Sequence, residues 1–194
     1  MRVHGDNKLR RRIWSGELRD YRDARKELAE DFNDICGYCG KSSKYFKEHY
    51  HIDHFVPRRI AEEMKNQYSN LVWSCPKCNL SKSGKWPTEN KNLPYDNEKG
   101  FIDPVSEEFD QHLERKEDGC IVGKSVLGCN MCENLNFHIR RTGLIWKIQQ
   151  MMEIQDKMDE LYKQRRLDEK YFDFYIMSNL MIKDYFSKIA GKGD

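Results

Sequence analysis

At 194 residues, 38% apolar and 34% charged, the chain has the length of one domain or two small ones, and much of its core has to come from amphipathic helices. A formal charge of +2 is nearly balanced, so bulk electrostatics points to no polyanionic partner and any attraction to phosphate has to be local. No run of about 18 apolar residues is present and residues 1–12 lack the apolar centre of a signal peptide, which excludes a helical membrane span and leads to an expected cytoplasmic location.

Residues 1–13 contain Lys8, Arg10, Arg11 and Arg12 and read as a solvated basic arm, or as one that touches a nucleic-acid backbone. From Ser15, a candidate N-cap, Leu18, Tyr21, Ala24, Leu28 and Phe32 recur at helical spacing and predict a helix that leads into Cys36. Cys36-Gly37-Tyr38-Cys39-Gly40 is half of a zinc knuckle, its glycines letting the backbone curl so that both sulfurs face one ion. After a polar loop over 41–47, the segment 50–57 mixes aromatic and β-branched residues up to Pro57 and predicts a short strand. A short helical or looped excursion over 61–67 leads to Asn70, then to a second strand over 71–75. A helix from Pro76 carries Cys78, Asn79 and Lys82, the last two on one face.

The stretch 86–104, rich in Pro, Asn and Gly, is expected to wrap this unit as a loop. Segments 109–114 and 120–124 flank Asp118-Gly119 and predict a β-hairpin. A helix over at least 144–162 shows a stripe of Leu144, Ile148, Met151, Met158 and Tyr162. A second over 171–189 is dense in Tyr, Phe, Ile and Met, and the two suit a helical hairpin. The expected class is α+β, mainly α. Its parts are a basic arm and N-terminal helix (1–35), a metal-stapled ββα core (36–90), and a loop, hairpin and helical extension (91–194).

Seven cysteines is an odd number, and CxxC spacing in an intracellular chain indicates metal in preference to disulfides. Four thiolates, from Cys36, Cys39, Cys75 and Cys78, close a tetrahedral zinc site and leave no open position, so that zinc is structural. Asp53 and Asn79 offer hard oxygen ligands for a second ion, and His54 a general base. His51 precedes Asp53 by two residues on one strand face and has three readings: a third metal ligand, a phosphate contact, or a partner for a loop carbonyl. Arg58, Arg59, Lys82 and Lys85 are candidate phosphate contacts, whereas Trp73 and Trp86 read as core. The third CxxC, Cys129 and Cys132, lies where a helix is expected to start at about Met131 and is read as packing, with a second zinc site drawing on Cys120, His112 and His138 as the weaker alternative.

His51-Ile52-Asp53-His54, Asn70-Leu71 and Cys75-Pro76-Lys77-Cys78-Asn79 stand in the order and near the spacing of the HNH endonuclease family, in its four-cysteine zinc form, and the chain resembles that family over 36–85. The family's final His is Asn79 here, a variant that the family also contains, a phage resolvase among them. The resemblance implies a ββα-metal fold, with Mg²⁺ or Mn²⁺ on Asp53 and Asn79 and His54 activating water. It makes Asn70 the residue that ties the loop between the strands and orients His54. The implied reaction is phosphodiester hydrolysis in DNA with 5′ phosphate and 3′ hydroxyl products.

More loosely, residues 99–141 resemble the C-terminal extension of HNH nucleases from bacterial anti-phage defence and retron-linked operons, such as the nuclease subunit of Septu-type systems. That likeness implies an ATPase subunit or other defence-system partner. Double-strand cutting by a single-metal site also suits a homo-oligomer. Two other readings stay open: a non-catalytic zinc module that binds nucleic acid or a partner, and a mobile-element or junction-resolving nuclease.

Overall fold

The structure, a computed structural model, describes residues 1–190, except for the side chains of 188–190. At its centre, β1 (His51–His54) and β2 (Leu71–Ser74) pair antiparallel, with His51 opposite Ser74 and His54 opposite Leu71. The helix α2 (Pro76–Lys82) follows β2 directly. Pro76 occupies the first turn, where its missing N–H goes unmissed, and Cys75 caps the helix by accepting the Cys78 N–H at 3.5 Å. The whole of β2 is buried, so α2 leaves the sheet from inside the core.

Ahead of β1 runs α1 (Arg25–Asp31), entered through a 3-10 turn at Tyr21–Ala24. The expected helix from Ser15 is therefore shorter at its start. Before the turn the backbone pairs with another segment: Leu18 N–H donates to the Asn66 carbonyl at 3.0 Å, and Tyr21 N–H to the Asn66 side chain at 3.1 Å. Asp20 then supplies the cap that Ser15 was expected to give, accepting from Arg22 N–H at 2.9 Å.

Residues 1–13 are not a solvated arm. Val3, His4 and Leu9 are buried, and the backbones of Met1 and Arg115 exchange two hydrogen bonds of 2.9 Å. Arg11 pairs with Asp103 at 2.7 and 3.0 Å and donates to the Leu71 carbonyl at 2.6 Å, while Arg12 pairs with Asp31. Arg11 and Arg12 thus serve internal acceptors, whereas Lys8 and Arg10 are exposed.

His4 is fully buried, stacked on Phe109 at 5.2 Å, with Nε2 donating to the Gly37 carbonyl at 2.6 Å. Burial drives its pKa down from 6.5 to about 4. Because the unfolded chain accepts a proton that the folded chain resists, the stability due to the neutral ring is complete above pH 6.5 and lost as pH falls from 6.5 toward 4. That loss is on the order of 3 kcal/mol. Urea unfolding across this window should show the slope in the wild type and a shallower one in His4→Gln; equal slopes would refute it.

Beyond α2 the chain has no helix or strand until residue 109, as expected for the wrapping loop. It is pinned by buried Trp86 and Phe101, with Trp86 edge-on to Phe55 at 5.3 Å. The hairpin β3 (Leu113–Arg115) and β4 (Ile121–Gly123) forms around Asp118-Gly119. Its first arm is shorter than expected, because residues 109–112 make a helical turn, α3 (Phe109–His112), that buries Phe109 beside His4.

The helix α4 (Val126–Asn134) carries Cys132 buried and Cys129 exposed. The long helices α5 (Thr142–Lys163) and α6 (Phe172–Ala190) pair as the expected hairpin, with Tyr175 donating to Asp159 at 2.6 Å and Ser178 to Gln155 at 2.7 Å. The buried stripe of α5 differs from the expected one: Trp146, Ile148, Gln149 and Met158 face inward, while Tyr162 is exposed. Gln149 earns its buried place by accepting Ser42 N–H at 2.9 Å, a contact between α5 and the core that apolar periodicity does not encode. Among the described residues no helix is long and apolar enough to cross a membrane.

Candidate active site and metal centre

Cys36, Cys39, Cys75 and Cys78 are all buried, and their sulfurs lie within 4.8 Å of one another. Tetrahedral zinc with Zn–S bonds of ~2.3 Å sets sulfurs ~3.8 Å apart. Cys39 and Cys75 already stand 3.8 Å apart, so the donor set fits that ion in type, number and spacing. The knuckle depends on both glycines. Gly40 has φ +68°, and a Cβ on Gly37 would meet Phe32 at 2.7 Å and Val72 at 2.9 Å. No other group of three or more His, Cys, Asp or Glu suited to a metal occurs among the described residues; Cys132 packs in the core, while Cys120 is half-buried and Cys129 exposed.

The ββα unit opens on a cleft of about 600 Å³ lined by Asp53 and His54 from β1, Asn79 from α2, and Arg58, Arg59 and Glu62 from the loop between the strands. Antiparallel pairing sets Asp53 opposite Val72, four residues before α2 begins at Pro76. Residues distant in sequence meet at this cleft for that reason.

Asp53 is buried with two partners on Oδ2: the Tyr38 hydroxyl donates at 2.6 Å and Lys82 Nζ lies at 3.2 Å. Among the described residues these leave Oδ1 as the oxygen for the cleft. His54 donates Nε2–H to the Lys65 carbonyl at 3.0 Å, since a carbonyl can only accept, and Nδ1 therefore holds the lone pair. Tyr21 sets its ring edge-on to His54 at 4.8 Å. Burial lowers the His54 pKa below its ordinary value, against the Lys65 carbonyl and Asp53, which raise it. The neutral ring is the favoured form.

Asn70 is buried and fastens the connection between the strands. Its Oδ1 accepts Val56 N–H at 2.8 Å, and its Nδ2 donates to the carbonyls of Val56 at 3.1 Å and Met64 at 3.4 Å. Met64 and Lys65 are neighbours, so the amide that fixes one carbonyl steadies the one that grips His54.

The basic candidates separate. Arg58 and Arg59 line the cleft but are paired at its rim with Glu62 (3.1 Å) and Glu89 (2.6 Å). Lys85 is exposed and donates to the Asn134 carbonyl at 2.9 Å. His51 lies outside the cleft lining, edge-on to His49 at 5.3 Å.

Lys82 departs from expectation. It is fully buried, donates to the His54 carbonyl at 2.8 Å and is ion-paired to Asp53, so it faces the protein interior and is not placed to grip a nucleic acid. Its replacement by Met leaves Asp53 buried without its cation, at a cost of roughly 3–5 kcal/mol. Urea unfolding of Lys82→Met without added divalent ions should show a loss of that size; a midpoint within error of wild type would contradict the pairing.

Tyr38, the second residue holding Asp53, was missed from sequence. It sits in a variable position of the CxxC, and only the fold brings its hydroxyl to β1. Arg140 was missed as well: from beyond α4 it donates Nη1–H to Cys78 Sγ at 3.0 Å.

Residues 36–85 match the family described as HNH endonuclease. No curated protein matches the chain.

Proposed function

Residues 36–85 are an HNH endonuclease domain, and from that premise we propose that the chain is a Mg²⁺- or Mn²⁺-dependent endonuclease that hydrolyses DNA phosphodiester bonds. The observation that carries this reading is the meeting of Asp53, His54 and Asn79 at one cleft, with the His54 ring oriented by the Lys65 carbonyl. Binding alone requires no such base, which weighs against a non-catalytic zinc module.

Asp53 through Oδ1 and Asn79 through its side-chain carbonyl are hard oxygen donors, the type that Mg²⁺ and Mn²⁺ take, and two protein ligands suit an ion that keeps several waters. Such an ion, when bound, supplies positive charge for the phosphate and the departing 3′ oxygen. His54 accepts the proton of the attacking water at Nδ1, and its Nε2–H bond to Lys65 stabilises the charged ring that results. Lys82 and Tyr38 hold Asp53 through its other oxygen. Arg58, Arg59, Lys85 and His51 are the proposed phosphate contacts; the two arginines exchange weak rim pairs for phosphate, since exposed ion pairs contribute only about 0–1 kcal/mol. The products are a 5′ phosphate and a 3′ hydroxyl.

The proposed setting is bacterial anti-phage defence beside an ATPase subunit. Support comes from the likeness of residues 99–141 to the extension of such nucleases. A near-balanced charge adds to it, since weak intrinsic attraction to DNA favours delivery by a partner. The test is nicking of supercoiled plasmid with Mg²⁺ or Mn²⁺ against a chelator control, with single-stranded DNA and RNA in parallel. Metal-dependent nicking of the plasmid is the expected result. Cleavage of RNA alone would replace the substrate, and no cleavage of any of the three in either ion would overturn the reading.

A further inference from the structure

Two arginines of the extension converge on the four-cysteine centre. Arg140, between α4 and α5, donates Nη1–H to Cys78 Sγ at 3.0 Å, while its Nη2 lies 3.7 Å from Cys75 Sγ and 3.8 Å from Cys39 Sγ. Arg115, on β3, is buried and donates only to carbonyls, those of Val3 (2.9 Å), Gly119 (2.6 Å) and Cys39 (2.8 Å), with its guanidinium 4.1 Å from the centroid of the Trp146 ring. Among the described residues neither arginine has a carboxylate at ion-pair distance, although a buried cation ordinarily requires one.

The space left between Cys39, both guanidinium groups, Trp146 and Gln149 is about 10 Å³. It has room for at most one water molecule, so on this inner side solvent does not supply the counter-charge that buried Arg115 lacks, while Arg140 is half-buried against the sulfurs. Four thiolates around a divalent zinc carry two negative charges in excess, and two arginines balance them.

We propose that Arg140, with Arg115 behind it, forms a cationic cap on the zinc–thiolate centre that retains the metal and protects the thiolates, making the extension part of the metal site. The proposal rests on reading the four cysteines as a zinc centre. The geometry suits it: Arg140 reaches three of the four sulfurs, and its donation to Cys78 stabilises the charged thiolate over the free thiol. Arg115 anchors the Cys39 carbonyl, fixing the knuckle from the other side.

The experiment uses the full chain. Zinc content is measured first, then the rate of zinc transfer to a chromogenic chelator and the rate of alkylation at Cys36, Cys39, Cys75 and Cys78, read by peptide mass. Arg140→Gln should release zinc roughly 10–100-fold faster than wild type, with alkylation of the four cysteines accelerated in step. Arg140→Lys keeps the charge on one nitrogen but loses the fork that spans three sulfurs, so its release should be faster than wild type and slower than the Gln variant, an order that loss of packing alone does not produce.

Release from Arg140→Gln at the wild-type rate overturns the proposal, as does Arg140→Lys releasing zinc as fast as the Gln variant. If Arg140→Gln does not fold, the Lys variant decides, and release at the wild-type rate counts against the cap. Wild-type protein without zinc removes the premise itself, which is distinct from zinc-loaded protein that is indifferent to residue 140.

Discussion

Plasmid nicking by His54→Ala is expected to fall by about 10²–10⁴-fold, the range that a positioned general base contributes, with folding and zinc content unchanged. The expectation follows from how completely the ring is oriented. The Lys65 carbonyl fixes the tautomer at Nε2, the Tyr21 edge restricts the ring plane, and β1 delivers the residue into the cleft beside Asp53. Each contact is made by the ring and none by the Cβ, so truncation removes the base without removing a strand partner. The β1–β2 register, a backbone property, should survive. His54→Asn tests the same point differently: an amide can still donate to Lys65 but has no basic nitrogen. If it cleaves like wild type, orientation and not proton transfer is what His54 provides.

Removing zinc is expected to have the largest effect on stability. The four cysteines come from the knuckle ahead of β1, from the end of β2 and from α2, so one ion ties three segments that are weak alone. A two-stranded sheet is marginal by itself, and the seven-residue α2 is shorter than the ~12 residues at which isolated helices begin to hold. Structural zinc in small domains supplies roughly 10–16 kcal/mol, as much as the whole net stability of a typical domain.

Protein stripped with a zinc chelator should therefore lose its cooperative unfolding transition over the nuclease unit and regain it on zinc addition. Cys75→Ser should behave like the stripped form, since Cys75 is both a ligand and the cap of α2. An unchanged melting temperature after verified zinc removal would mean that the surrounding core, Leu28, Phe32, Leu71 and Val72 among it, suffices without the metal.

The parts legible in the sequence are those in which chemistry demands a residue type at short spacing. Paired CxxC steps announce a four-sulfur centre because each pair curls within one turn. The meeting of Asp53, His54 and Asn79 at one cleft is foreshadowed because the roles proposed for them, metal ligation and base catalysis, accept few side chains, and the ββα order follows from short strand patterns meeting a Pro-initiated helix. The wrapping loop and helical hairpin were legible from the distribution of Pro, Gly and apolar residues.

Only the tertiary structure decided which charges turn inward. Lys82 reads in sequence as one more surface cation on a helix, and becomes the partner of Asp53 because α2 packs under β1. Arg140 lies 62 residues from Cys78, and its contact with sulfur exists only once the extension folds back. The basic residues at 11 and 12 find Asp103 and Asp31, and the N-terminal segment docks through buried Val3, His4 and Leu9 where composition alone suggests a free arm. Local pattern records how a segment is built. The fate of a buried charge depends on a counter-charge elsewhere in the chain, and only the folded arrangement brings the two together.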